Sequence, residues 1–147
     1  MPTNILRSRP KQKSPAVRAP TGTRAVVITA GRVSIRALLL DTPTADRVWQ
    51  ALPIHSTAET WGESLHFETP VETGRDRTAR LNAVPGDICF WSEDDRVIIG
   101  FGPTPISRPA EIRLPRPCNV FARSLDDVRA LAAVTPGEKV SMVRAGA

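Results

Sequence analysis

His66 and Glu68 stand two apart in Ser64-Leu65-His66-Phe67-Glu68-Thr69, a run that alternates as a strand does. Residues two apart on a strand share a face, so this is a candidate acid–base pair. Arg36 offers a guanidinium from the non-core face of another alternating run. Trp61, Trp91, Phe101 to Pro105 (with Thr104) and Asn119 would together supply aromatic surface and a few polar groups, the make-up of a ligand pocket. The alternative for Trp61 and Trp91 is that they plug the ends of the fold. Other chemistries lack their anchors. There is no Gly-x-Ser-x-Gly elbow and no Gly-x-x-x-x-Gly-Lys-Ser/Thr phosphate loop. Cys89 and Cys118 form no Cys-x-x-Cys pair, and with His55 and His66 they give no zinc spacing. No metal and no cofactor is expected.

The net charge of +5 is unevenly spread. Arg7, Arg9, Lys11, Lys13, Arg18 and Arg24 meet no acid before residue 25, and what remains is 14 basic against 15 acidic side chains. The isoelectric point near 10.2 thus belongs to a leader, not to a basic fold. We expect residues 1–23 to be a disordered, basic, Pro-, Arg- and Lys-rich segment before one domain at 24–147. Such an arm attracts polyanions, but four prolines and no aromatic residue argue against nucleic-acid stacking. No apolar run is long enough to span a bilayer or to act as a secretory signal, so no membrane is expected and the default location is cytoplasmic.

The elements that must position these residues follow from patterning. Arg24–Thr29 and Arg32–Leu40 read as a hairpin turning at Ala30-Gly31, with Val33, Ile35, Ala37 and Leu39 on one face. Thr42 and Pro43 start a helix with Ala45, Val48, Trp49 and Leu52 on its apolar stripe. Residues 72–83 read as an exposed excursion. Ile88–Trp91 and Arg96–Phe101 make a second hairpin, and a proline-rich loop follows from Gly102 to Pro117. Asn119–Arg123 is a strand. Ser124 and Asp127 form a capping box for a helix burying Leu125, Val128, Leu131 and Ala132, and Lys139–Val143 is the last strand. Seven or eight strands and two short helices describe a mainly β fold, a closed barrel capped at its ends.

Asp41-Thr-Pro-Thr-Ala45, Thr60-Trp-Gly-Glu63, Gly86-Asp87 with Phe90-Trp91, Phe101-Gly-Pro-Thr-Pro105 and Asn119-Val-Phe121 occur in an order that resembles a small prokaryotic family of cyclophilin-like single-domain proteins. The resemblance runs from residue 25 to about 143 and implies a closed cyclophilin-like barrel. A weaker likeness reaches the cyclophilin peptidyl-prolyl isomerases. It puts Phe101 in place of a proline-pocket phenylalanine and Cys118 near a pocket histidine. On it Phe67, Trp91, Phe101 and Phe121 would seat a prolyl ring, but Phe67 stands where those enzymes carry their arginine. Trp91 replaces a small pocket residue.

Three functions stay open. The first is a binding domain for a peptide or small molecule in an aromatic cleft. The second is a weak peptidyl-prolyl isomerase. The third, implied by the resemblance of cyclophilin-like domains to parts of some amide-hydrolysing enzymes, is a partner-dependent subunit. The sequence sets no oligomeric state.

Overall fold

The computed structural model describes residues 24–146, so the leader lies outside the described residues. Ten strands, one α-helix and one 3-10 helix form among the described residues. They are β1 (Ala25–Ala30), β2 (Val33–Leu39), α1 (Pro43–Ala51), β3 (Ile54–Thr57), β4 (Glu59–Thr60), β5 (Ser64–Glu68), β6 (Arg80–Asn82), β7 (Asp87–Trp91), β8 (Arg96–Gly100), β9 (Arg113–Ser124), the 3-10 helix (Val128–Ala133) and β10 (Lys139–Arg144). Nine strands hydrogen-bond in the order β3-β10-β1-β2-β9-β7-β8-β5-β4, all antiparallel, and β6 pairs β9 off this path.

That order dictates the shape. The two strands at the ends of the path, β3 and β4, are separated in the chain only by Ala58. The sheet must therefore curl until its edges meet, and the result is a nearly closed barrel. Ala58 extends the β3–β10 pairing up to the seam: its N–H donates to the Glu138 carbonyl at 2.8 Å, and its carbonyl accepts from Gly137 N at 2.9 Å. At the other end of β10 Ala145 N donates to the Ala25 carbonyl at 2.9 Å, so the two ends of the described chain are neighbours.

Alternation fills the interior. Ile28, Ile35, Leu39, Leu65, Phe67, Ile88, Phe90, Val97, Ile99 and Phe121 point inward and are buried in one cluster. A second, smaller cluster lies on the outer face: Cys89, Ile98, Cys118 and Val120 alternate with the inward set and meet Ala83, Ile112 and Leu114. It exists because β6 and the segment after Phe101 fold back over β7, β8 and β9. Gly100 permits that close cover, since a Cβ there would lie 2.3 Å from Ile112 Cγ2.

Helix α1 starts as its sequence implies. Thr42 Oγ1 accepts from Ala45 N at 3.0 Å, and Pro43 fills the first turn. Ala45 and Val48 are buried, while Trp49 packs partly exposed beneath the Arg144 guanidinium, 4.2 Å from the ring centroid.

Four local expectations are corrected. The first hairpin turns at Gly31-Arg32, one residue late. Residues 72–83 are not a free excursion: β6 pairs β9, and Asp76 is tied to the barrel wall. Arg113–Pro117 is not loop but the first part of β9. Pro115 and Pro117 fit there because β6 contacts that stretch with an interrupted register and needs few of its N–H groups. After β9, Asp127 and not Ser124 caps a 3-10 helix that buries only Val128 and Leu131, leaving Leu125 and Ala132 exposed. Ser124 instead bonds Asp126, whose carboxylate holds Arg36. No helix among the described residues is long and apolar enough to cross a membrane.

Candidate functional site

Strand register builds the site on the outer face of the barrel. Glu59 on β4 stands opposite His66 on β5, His66 opposite Ile98 on β8, and Arg96 opposite Trp91 on β7. Those side chains point away from the interior, because their neighbours Leu65, Phe67, Phe90 and Val97 point into it. Trp61, from the turn between β4 and β5, and Pro115 complete a cleft of about 290 Å³, with Asp94 at the rim from the β7–β8 turn.

The Trp61 wall is set by two of the ordered motifs meeting. Trp61 N donates to the Ser64 carbonyl at 3.1 Å, and Ser64 Oγ donates back to the Trp61 carbonyl at 2.6 Å. Glu63 N donates to the Pro103 carbonyl at 2.9 Å, while Phe101 N and Gly102 N both donate to the Glu63 carbonyl. Gly62 sits between at φ +59°, and a Cβ there would lie 2.7 Å from Pro105 Cδ and 2.8 Å from Thr104 Cα. Only glycine suits that place. Trp91 stacks edge-on to His66, with centroids 6.1 Å apart and ring planes at 75°. Its Nε1 is buried without an acceptor among the described residues.

Arg96 is the charged centre of the cleft. Its Nε donates to Asp94 Oδ2 at 2.7 Å and its Nη1 to Glu59 Oε2 at 3.0 Å, with His66 Nδ1 3.4 Å from the same Nη1. A guanidinium only donates, so this contact makes His66 Nδ1 the acceptor and leaves the imidazole hydrogen on Nε2. Burial lowers the His66 pKa, and the Arg96 charge lowers it further against the opposing pull of Glu59 and Asp94. The ring is therefore kept neutral near pH 7.

The other candidate residues lie elsewhere. Phe67 and Phe121 are wholly buried inside the barrel and cannot line the cleft. Phe101 is partly buried and packs against the main core. Thr104 secures its loop, donating from Oγ1 to the Arg113 carbonyl at 2.6 Å. Cys118 is buried in the outer cluster, its thiol pushed up to about 12 by burial, so it is a hydrophobe and not a nucleophile at neutral pH. Asn119 is the hub of a buried network: Oδ1 accepts from Asp76 N, and Nδ2 donates to Thr44 Oγ1 and the Gly74 carbonyl, each at 2.9 Å. Arg36 is exposed and paired with Asp126 at 2.8 Å. Glu68 borders a separate hollow with His55 at the β3–β5 side, so the supposed His66–Glu68 pair divides between two places. Among the described residues no group of three or more His, Cys, Asp or Glu side chains comes together to hold a metal.

Comparison with known proteins fits this architecture. The family model described as Cyclophilin-like matches residues 24–143. The chain belongs to the Cyclophilin-like family. A hypothetical protein of Archaeoglobus fulgidus, AF2241, solved in solution, is 29% identical and superposes with a TM-score of 0.74, covering 86% of this chain and 98% of its own. McbB, solved in complex with tryptophan, shares the fold at 16% identity and a TM-score of 0.64, over 83% of this chain and 45% of McbB. No curated protein matches the sequence.

Proposed function

We propose that the domain binds a peptide segment or small molecule in the Trp61–Trp91 cleft and performs no chemistry on it. The observation that carries this reading is the cleft itself. Two tryptophans and a neutral histidine wall an outward-opening space, and its one guanidinium is already engaged by two carboxylates. An indole donor without a partner among the described residues, Trp91 Nε1, adds a group that a ligand acceptor would satisfy once the ring shifts. McbB, in which this fold covers 45% of the chain, was solved in complex with tryptophan.

The chain's three tryptophans supply the test. Their indole N–H signals are titrated with N-acetyl-tryptophan amide and with a prolyl tetrapeptide amide. The Trp61 and Trp91 signals should move and saturate while that of Trp49, on the far helix, stays still. Unmoved Trp61 and Trp91 signals at millimolar probe would end this reading.

Arg96 favours a second reading. Prolyl rotation has a barrier of roughly 18–20 kcal/mol and is lowered by a donor aimed at the twisted amide nitrogen. The weak point is that Asp94 and Glu59 hold the guanidinium in place. A protease-coupled prolyl peptide assay should show no acceleration above background. Acceleration lost in Arg96→Ala would favour the isomerase.

A further inference from the structure

We infer that the Trp61–Trp91 cleft selects organic cations, an ammonium or guanidinium carried by a small molecule or by a peptide side chain. This rests on the binding reading above and adds the charge of the ligand to it.

The argument is about what a ligand meets first. Glu59 and Asp94 keep 55% and 52% of their side chains exposed, whereas Arg96 keeps 17%. The single positive charge thus lies beneath two negative ones, and the three sum to one net negative charge. Arg96 occupies Glu59 Oε2 and Asp94 Oδ2, while Glu59 Oε1 and Asp94 Oδ1 accept no hydrogen bond from the described residues. Each rim carboxylate is therefore fixed by one oxygen and presents the other. Two indoles share the cleft lining with them, the side chains that attract cations most strongly through their ring faces. An incoming anion would face the same two carboxylates and the same electron-rich rings. The chain already makes this kind of contact internally, where Arg144 covers Trp49. In the cleft the protein cation, Arg96, is engaged by Glu59 and Asp94 instead.

The test uses the full chain and the same indole signals. N-acetyl-arginine amide is compared with N-acetyl-citrulline amide, its neutral isostere, and with tetramethylammonium. The arginine amide or tetramethylammonium should bind about tenfold more tightly than the citrulline amide, a margin of the size cation–π and exposed carboxylate contacts provide. The margin should shrink in Glu59→Gln and in Asp94→Asn, two substitutions at exposed positions that leave the core untouched. Binding by tetramethylammonium alone identifies a free ammonium compound as the source. Binding by the arginine amide alone identifies a peptide side chain. Binding of the citrulline amide as tight as that of the arginine amide and of tetramethylammonium overturns the charge inference and leaves the binding reading standing. If no probe, charged or neutral, moves Trp61 or Trp91, both fall together.

Discussion

His66 shows how one residue reports on its surroundings. Desolvation and the Arg96 guanidinium oppose its protonation, and Glu59 and Asp94 support it, the net result being a lowered pKa. In the unfolded chain the imidazole returns to about 6.5. The unfolded state then takes up the proton first as pH falls, and stability drops from about pH 6.5 until the folded-state pKa is reached. We expect the urea midpoint to fall over this range in the native protein and to fall less in His66→Gln; equal slopes would contradict the assignment. The neighbouring Phe67 marks the limit of sequence at this scale. Alternation separates His66 from Phe67, yet a period of two cannot tell the inner face of a barrel from the outer one. Arg96 was illegible for a related reason. Its partners come from β4, β5 and the β7–β8 turn, and only strand register brings those together.

At the scale of elements, the short motifs act as joints. Trp61-Gly62-Glu63 is bound to Phe101-Gly-Pro-Thr-Pro105 backbone to backbone, and Asn119 ties β9 to α1 through Thr44 and to the 74–78 segment through Asp76. Gly62→Ala would force a methyl group against Pro105 and Thr104 and impose an unfavourable φ. A loss of about 2 kcal/mol or more is expected from strain and overpacking, read as a lower melting temperature. The Trp61 indole signal should shift while that of Trp49 does not. Strands and α1 were readable because alternation, Thr42 and Pro43 are local signals. The start of β9 and the 3-10 helix are not legible in the sequence, because tertiary cover decides them. Pro115 and Pro117 look like loop residues until β6 is placed beside them.

For the molecule as a whole, closure is the governing property. The family-like order of segments made a barrel legible in the sequence, but not that a single residue joins its two edges. Ala58→Pro removes the N–H that reaches Glu138 and leaves that carbonyl short of a partner. The expected cost is roughly 1–3 kcal/mol in urea unfolding, with Ala58→Gly, which keeps the N–H, costing less; the reverse order would show that this bond beside the seam does not matter. The hydrogen bond between Ala145 and Ala25 has a different consequence. A domain whose chain enters and leaves at one point is a cassette. It can be spliced into a longer polypeptide, or have its old ends joined and new ones opened elsewhere, without redrawing the barrel. McbB, less than half of which this fold accounts for, shows the same architecture serving as part of a larger protein.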